Sequence, residues 1–230
     1  MGYQLTIDEG NTSLKVALWR GAALLEPDIK DTASFRIDSV MISSCKADST
    51  IWRAYPHADI YYLRATNEHL PISINYSASL GSDRIAAAIG AHARSGGCDA
   101  LVVDAGTAVT YDFVSADGVF EGGNIAPGLE LRMKSLNEHT AVLPSVRAEG
   151  ETPLLGHDTA EAIRAGAIRG IAAEIEYYHR LLAKEHPSVK TFITGGNASL
   201  IAKYLSIPFI YEPFLVMEGL KRTLDFYEDS

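Results

Sequence analysis

A strand–turn–strand pattern with an acidic, glycine-containing turn occurs twice in this chain, and this repetition constrains the fold more than any other feature. Apolar residues 5–7 lead into Asp8-Glu9-Gly10-Asn11-Thr12, and apolar residues 101–103 lead into Asp104-Ala105-Gly106-Thr107-Ala108. Alternating or apolar residues follow each turn, at 15–19 and at 109–114. Because two similar segments indicate two similar folding units, we predict an α/β protein with two related halves around a central cleft.

The remaining sequence predicts the other elements of the two halves. In the first half we predict strands over 3–8, 13–19, 21–25, 40–44 and 59–63, a helix over 46–56, and an alanine-rich helix over 83–94. In the second half we predict a third strand over 119–125, a helix over 129–136, a long helix over 158–184, a strand over 189–194, a helix over 198–204, a strand over 208–211 and a closing helix over 214–227. Gly96-Gly97 stops the alanine-rich helix, so we place the two domains at 1–98 and 99–230.

Composition narrows the class of partner. The 230 residues carry a formal net charge of −9, which disfavours nucleic acid and anionic membrane as partners. The two cysteines and seven histidines show no metal-ligand spacing. The sequence starts without a basic and apolar leader and has no apolar run of membrane-spanning length, so we expect a cytoplasmic protein.

The two repeated turns suit a phosphate chain and its cation. A glycine lets the backbone approach a phosphate closely, and successive N–H groups then bind the anion. In the first turn Asn11, Thr12 and Lys15 add donors, while Asp8 is suited to hold Mg²⁺ through water. In the second turn Asp104 is suited to a second cation and Thr107 to the γ-phosphate. The alternative is that both are ordinary hairpin turns, because these residue types also favour turns.

The start of the alanine-rich helix carries a second candidate site, Gly81-Ser82-Asp83-Arg84. Asp83 can accept a proton from a substrate hydroxyl, and Arg84 can bind a carboxylate through two parallel hydrogen bonds. Phosphoryl transfer through a loose transition state depends more on the position of such a base than on its strength. The alternative is helix capping by Ser82 or Asp83. A weaker candidate is Thr194-Gly195-Gly196-Asn197-Ala198, where adenosine could rest at a helix N-terminus.

Seven motifs, taken together and in order, resemble those of the type III pantothenate kinases, and they cover most of the chain. They are Asp8-x-Gly10-Asn11-Thr12-x-x-Lys15, Gly81-x-Asp83-Arg84, Asp104-x-Gly106-Thr107-Ala108, Pro127-Gly128-Leu129, Leu143-Pro144, Thr159-x-Glu161-Ala162-Ile163 and Thr194-Gly195-Gly196-Asn197-Ala198. That family belongs to the acetate and sugar kinase/Hsp70/actin superfamily, in which an actin-like ATPase duplication gives two ribonuclease-H-like halves.

The resemblance implies ATP-dependent phosphorylation of pantothenate to 4′-phosphopantothenate, the first step towards coenzyme A. It implies that Asp83 is the catalytic base and that pantothenate binds to Gly81, Ser82, Asp83 and Arg84. It implies that Mg²⁺ is held through water by Asp8 and that Asp104 binds a monovalent cation, K⁺ or NH₄⁺. The family works as a homodimer, in which Thr159 would contact pantothenate across the subunit boundary. The residues that would bind ATP are Asp8, Glu9, Gly10, Asn11, Thr12, Ser13, Leu14, Lys15 and Thr107.

The chain departs from the family pattern at two positions. The family usually has a tyrosine nine residues before the base, where this chain has Ile74. Tyr76, seven residues before Asp83, is the candidate to replace it in contacting pantothenate. Glu9 stands where the family is usually apolar; its side chain can point to solvent, but it adds negative charge near the phosphate-binding turn.

Two alternative functions stay open from the sequence. One is a non-catalytic regulator of the Bvg accessory factor type on the same scaffold. Such a regulator has no need of Asp83, Asp104 and Thr107, yet all three are present. The other is a kinase of a different small acid or sugar, which would share the ATP-binding turns without needing Arg84.

Overall fold

The computed structural model describes residues 2–46 and 49–229, which form two compact units. The first unit contains the residues up to Gly97, the segment Val114–Gly122 and the C-terminal segment from Phe214. The second unit contains Cys98–Phe113 and Gly123–Pro213. The second unit begins directly after Gly96-Gly97. Val114–Gly122 and the segment from Phe214 come later in the chain but belong to the first unit. The contiguous halves 1–98 and 99–230 therefore stay a prediction about the duplication.

The first unit contains a five-stranded sheet. Its strands are β1 (Tyr3–Glu9), β2 (Leu14–Arg20), β3 (Ala23–Glu26), β4 (Ile37–Ser44) and β5 (Asp59–Tyr62), and a further short strand, β6, covers Ser73–Ile74. The order across the sheet is β3-β2-β1-β4-β5. The first three strands are antiparallel, while β4 runs parallel to β1 and β5 runs parallel to β4. One core cluster of this sheet consists of Leu5, Ile7, Val16, Leu18, Val40 and Ile42.

The sheet of the second unit repeats this strand order. Its strands are β7 (Ala100–Ala105), β8 (Ala108–Val114), β9 (Val119–Pro127), β10 (Lys190–Thr194) and β11 (Ile210–Tyr211). They lie in the order β9-β8-β7-β10-β11, with β10 parallel to β7 and β11 parallel to β10. Each unit thus places the strand before its acidic turn at the centre of its sheet. The predicted α/β fold with a duplicated strand pattern is confirmed.

The α-helices of residues 2–46 and 49–229 add the remaining regular structure. They are α1 (Ser82–Arg94), α2 (Leu129–Glu138), α3 (Thr159–Glu185), α4 (Ala198–Ile201) and α5 (Leu215–Glu228). In the first unit α1 crosses α5 so closely that a Cβ on Gly90 would lie 3.1 Å from the Leu215 side chain. In the second unit one face of α3 is buried, including Ile163, Ile171 and Ile175. Within residues 2–46 and 49–229, none of the helices has the length and hydropathy to span a bilayer.

The helix predicted over 46–56 is wrong over its described residues. A single 3₁₀ turn, Ile51–Ala54, is all that forms between residues 49 and 56, while residues 47 and 48 lie outside the described part. The physical reason is local, because Pro56 disfavours the α conformation at Tyr55 and leaves too few residues for a stable helix. The segment connects the parallel strands β4 and β5.

Candidate active site

The first acidic turn is a four-residue loop between β1 and β2. Gly10 N–H donates to the Ser13 carbonyl oxygen at 3.0 Å, and Asn11, Thr12 and Ser13 are exposed at the tip of the turn. Leu14, the first residue of β2, is also 48% exposed. The turn therefore presents polar side chains and backbone to solvent, as a phosphate-binding loop requires.

Strand pairing brings Asp8 together with two other polar side chains. Asp8 is the pairing partner of Lys15 on β2 and of Ser43 on β4. Directly paired residues project from the same face of a sheet. Burial and, after it, the nearby Asp83 raise the pKa of Asp8 to about 6, although Lys15 and a hydrogen bond from Ser43 act in the opposite direction. Two carboxylates close enough to repel one another make a suitable place for a cation.

Ser43 joins the acidic turn to the start of α1. Besides its hydrogen bond with Asp8, the Ser43 hydroxyl lies 2.9 Å from the Ser82 hydroxyl. Ser43 is 1% exposed, so water does not compete for these bonds. Sequence reasoning missed this residue. The available signal was a pair of serines, Ser43-Ser44, ending an apolar strand that runs parallel to β1.

The Glu9 side chain does not point to solvent. Glu9 is only 9% exposed, and its carboxylate accepts hydrogen bonds from Lys46 at 2.9 Å and from Ser44 at 2.7 Å. A hydrogen bond from Ser49 is the main cause that lowers the pKa of Glu9 to about 2, and Lys46 and Ser44 contribute. Lys46 therefore neutralises the negative charge that Glu9 adds beside the first acidic turn. Sequence reasoning missed Lys46, because its partner lies on a different strand.

The N-cap residue of α1 has no side chain to cap the helix, and a carboxylate of the first turn accepts a backbone N–H instead. Gly81 occupies the N-cap position, and the Ser82 hydroxyl bonds to Ser43. Asp83 is exposed, with one carboxylate oxygen accepting from the Arg84 N–H at 2.9 Å. The capping alternative for Ser82 is therefore wrong. Asp83 instead presents a carboxylate at a helix N-terminus, where the helix dipole stabilises negative charge.

Arg84 lies beside two aromatic rings. Its guanidinium carbon is 5.4 Å from the centre of the Tyr76 ring and 5.6 Å from that of the Phe120 ring. The two rings meet edge to face at 5.8 Å, and Arg84 itself is only 6% exposed. The structure thus places Tyr76 next to Arg84, although Tyr76 lies two residues nearer to Asp83 in the sequence than the usual family tyrosine. Phe120 was not predicted, because it lies in β9, far from this motif along the chain.

The second acidic turn is shorter than the first. Gly106 N–H donates to the Ala108 carbonyl oxygen at 3.0 Å, and only Gly106 and Thr107 separate β7 from β8. Thr107 is exposed and Asp104 is partly buried at the end of β7. The two turns therefore share a position in the fold but differ in length. They therefore present different numbers of hydrogen-bond donors to a bound phosphate.

Two glycines allow other backbone segments to pack against this second turn. Gly128 N–H donates to the Thr107 carbonyl oxygen at 3.0 Å, and a Cβ on Gly128 would lie 2.8 Å from the Thr107 carbonyl carbon. Gly195 has φ = +97°, and a Cβ there would lie 2.6 Å from the Ala105 carbonyl carbon and would also meet the Asp104 carboxylate. Both glycines are needed because no side-chain atom fits in these positions.

Thr159 is exposed in the first turn of α3. The helix begins as predicted, since Asp158 accepts a hydrogen bond from the Glu161 N–H at 2.8 Å and Glu161 accepts one from the His157 N–H at 2.8 Å. The first unit thus contains the predicted residues from Asp8 to Lys15 and from Tyr76 to Arg84. The second contains Asp104, Thr107 and Thr159. Across the described residues no group of three or more His, Cys, Asp or Glu side chains could hold a metal ion.

Comparison with known proteins gives a consistent family. A family model described as type III pantothenate kinase matches residues 27–180. A relative with that name from Porphyromonas gingivalis is 35% identical over 243 residues, covering 98% of this chain and 99% of the relative. Another from Cytophaga hutchinsonii is 36% identical over 234 residues, covering 96% and 98%. One from Phocaeicola vulgatus is 48% identical over 149 residues, covering 64% of this chain and 61% of the relative.

Solved structures support the same fold. A protein from Campylobacter jejuni, described as a Baf family transcriptional activator, superposes with a TM-score of 0.65 at 22% identity and covers 98% of this chain and 100% of its own. A protein from Sinorhizobium meliloti, described as a 2-dehydro-3-deoxygalactonokinase, gives a TM-score of 0.58 at 14% identity, covering 97% and 99%. At these identities the likeness concerns the fold alone.

Proposed function

Because this chain belongs to the type III pantothenate kinase family, we propose that it transfers the γ-phosphoryl group of ATP to the 4′-hydroxyl of pantothenate. The observation that carries the proposal is the arrangement in the first unit, where the Asp8–Ser43–Ser82 hydrogen bonds lead to Asp83 and Arg84. The residues to which we assign the cation, the proton and the substrate carboxylate are Asp8, Asp83 and Arg84. They lie on neighbouring elements, as phosphoryl transfer to a hydroxylated acid requires.

We assign the acceptor side of the reaction to the start of α1. Asp83 takes the proton of the attacking hydroxyl, and its exposure leaves room for a substrate to reach it. Arg84 binds the pantothenate carboxylate, because its guanidinium is fixed by the rings of Tyr76 and Phe120 and loses little freedom on binding. Tyr76 is 42% exposed and can cover the bound acid.

We assign the donor side to the two acidic turns. The backbone of residues 10–13 and the side chains of Asn11, Thr12 and Lys15 bind the phosphates of ATP. The Glu9 carboxylate is occupied by Lys46, so Glu9 contributes through its backbone. Thr107 donates to the γ-phosphate. ATP, which a kinase of this family uses as donor, brings its own oxygen ligands for Mg²⁺.

The residues present fit two cations. Burial and, after it, repulsion from Asp83 raise the pKa of Asp8, and a cation beside Asp8 would offset both. We propose that Mg²⁺ is held there through water, since Mg²⁺ keeps several waters when few carboxylates are available. We propose that Asp104 helps to hold K⁺ or NH₄⁺. Gly195 supports a fixed carboxylate there, because the Asp104 side chain packs directly against its backbone where any other residue would place a Cβ. The cations supply charge neutralisation for the phosphates.

We propose that the enzyme is a homodimer in the cytoplasm. Thr159 would then reach the pantothenate bound to the second copy. The segment that precedes α3 supports a subunit contact, because Val142, Leu154 and Leu155 are 86%, 77% and 77% exposed. Apolar side chains exposed to this degree favour burial against another surface.

A substrate panel tests the proposal. With ATP, Mg²⁺ and K⁺ present, ADP release is measured with pantothenate and with a set of other small hydroxy acids and sugars at equal concentration. We expect release to depend on pantothenate and to fall at least about tenfold when Na⁺ replaces K⁺ and NH₄⁺. Equal rates with an unrelated acceptor would favour a different kinase, and no acceptor-dependent release would favour the regulator. Equal rates in Na⁺ would remove the monovalent-cation role of Asp104.

The raised pKa of Asp8 predicts a stability that depends on pH. In the folded protein without nucleotide or Mg²⁺, Asp8 binds its proton near pH 6 rather than near its ordinary 3.8, so it destabilises the fold progressively as the pH rises from 3.8 to about 6 and fully above about 6. We expect Asp8→Asn to be more stable than the wild type by about 1–2 kcal/mol at pH 7.5, and the gain to disappear near pH 4. Thermal unfolding at both values measures this difference.

The matched control is Asp117→Asn, which changes an exposed aspartate in the turn before β9. This substitution is expected to leave the melting temperature within about 1 °C of the wild type at both pH values. A stabilisation of Asp8→Asn that is the same at pH 4 and pH 7.5 would contradict an electrostatic origin.

A further inference from the structure

A hydrogen-bonded cluster of three side chains joins three elements of the second unit. Arg132 on α2 makes a two-pronged ion pair with Glu174 on α3, at 2.8 and 2.6 Å. The Tyr111 hydroxyl on β8 donates to the same carboxylate at 2.5 Å. None of these residues belongs to a motif used above. Sequence spacing does not reveal the cluster, because its members are 21 and more residues apart.

The cluster is more ordered than an ordinary surface ion pair. Tyr111 is 3% exposed, and the Arg132 side chain is 19% exposed. Burial raises the pKa of Tyr111, and Glu174 raises it further, so the hydroxyl stays a hydrogen-bond donor. Burial also acts to raise the pKa of Glu174, but the hydrogen bonds from Arg132 and Tyr111 outweigh it and lower that pKa. A two-pronged charged contact fixes both partners in one geometry.

Arg132 uses a third donor on the backbone next to the second acidic turn. Its Nε donates to the Pro127 carbonyl oxygen at 2.8 Å. The next residue, Gly128, donates its N–H to the Thr107 carbonyl oxygen at 3.0 Å. Tyr111 lies on β8, the strand that leaves this turn three residues earlier at Ala108. The cluster therefore anchors the turn at Gly106 and Thr107 from two sides, through β8 and through the Pro127-Gly128 backbone.

We propose that Arg132 and Glu174 are positioning residues that hold the Gly106–Thr107 turn in the geometry that receives the terminal phosphate of ATP. This inference rests on the proposed function, which assigns Thr107 to that phosphate. Arg132 and Glu174 act through the backbone of Pro127 and Gly128. An error of about 1 Å in a phosphate-binding group can cost about 100-fold in rate, so a rigid support of the turn matters for turnover.

The test compares three variants of α2. Arg132→Ala removes the guanidinium and its bonds to Glu174 and Pro127. Arg132→Lys keeps a charged donor group, and Lys134→Ala is the control. Lys134 lies on the same helix and forms an exposed pair with Glu138 at 3.5 Å, with no contact to the turn. For Arg132→Ala we expect the KM for ATP to rise about tenfold and kcat to fall about tenfold, while the KM for pantothenate stays within about twofold. Arg132→Lys should lie between this variant and the wild type, and Lys134→Ala should match the wild type.

A change in the KM for ATP without a change in the KM for pantothenate distinguishes a positioning role from a general loss of stability. Equal changes in both KM values, or a fall in kcat alone that follows the fraction of unfolded protein in thermal melts, would overturn the proposal. So would wild-type kinetics in folded Arg132→Ala. If the wild type itself fails to phosphorylate pantothenate, the proposed function fails separately, and the inference is then tested by calorimetric binding of a non-hydrolysable ATP analogue. Unchanged affinity in Arg132→Ala would overturn it there.

Discussion

Asp83→Asn is expected to lower kcat about 100- to 1000-fold, because asparagine keeps the shape of the side chain but cannot take the proton of the attacking hydroxyl. The KM for ATP should change less than about threefold, since Asp83 is assigned to the acceptor side. Asp83 is exposed at the start of α1, so the fold should tolerate the change. Steady-state kinetics with both substrates varied, together with a thermal melt, measure these three quantities.

The control for Asp83→Asn is the same chemical change at Asp117, an exposed residue of the first unit outside the site. Asp117→Asn should retain wild-type kcat and KM. If Asp83→Asn turns over at a rate within about threefold of the wild type, Asp83 is not the base and position alone carries the step. A melting temperature that falls by more than about 5 °C would mean that the variant reports on folding instead.

Gly195→Ala is expected to be the most damaging small substitution near the second acidic turn. An alanine there must adopt φ = +97°, and its Cβ would press against the Ala105 backbone and the Asp104 carboxylate. The strain and the displaced backbone should cost about 3 kcal/mol or more, which lowers the melting temperature by about 6–12 °C for a chain of this length. Activity should fall at least about tenfold, because Asp104 moves.

The adjacent Gly196 provides a matched control, because an added Cβ there meets no atom within 4 Å and its φ lies outside the left-handed range. Gly196→Ala should leave the melting temperature within about 2 °C and the activity within about twofold. Equal behaviour of the two alanine variants, in either direction, would contradict the account of Gly195 as a close-approach position beside Asp104.

Much of the fold was accessible from the sequence because its signals are local. The apolar strands before Asp8 and Asp104, the alanine-rich α1 and the Asp158 cap with Glu161 each follow from neighbouring residues, and the structure confirms them. The repeated turn also indicated the duplication, and the repeated strand order confirms it. The 46–56 helix failed where a proline and a short connection outweighed helix propensity.

The finer organisation of the site depends on contacts between distant segments. Ser43 meets Asp8 only because β4 runs parallel to β1 in one particular register. Phe120 reaches Arg84 from β9, and Lys46 neutralises Glu9 from beyond the end of β4. No periodicity or spacing encodes these pairs. The sequence indicated two related turns with different roles, and the structure adds that one is a four-residue loop and the other a two-residue loop.

The most direct test of the account is the identity of the product. Purified protein is incubated with ATP, Mg²⁺, K⁺ and pantothenate, and the acceptor is analysed by mass spectrometry alongside ADP. We predict one phosphopantothenate for each ADP, with the phosphate on the 4′-hydroxyl, and no such product from Asp83→Asn over the same interval. ADP without phosphopantothenate, or a phosphate at another position of the acceptor, would contradict the account.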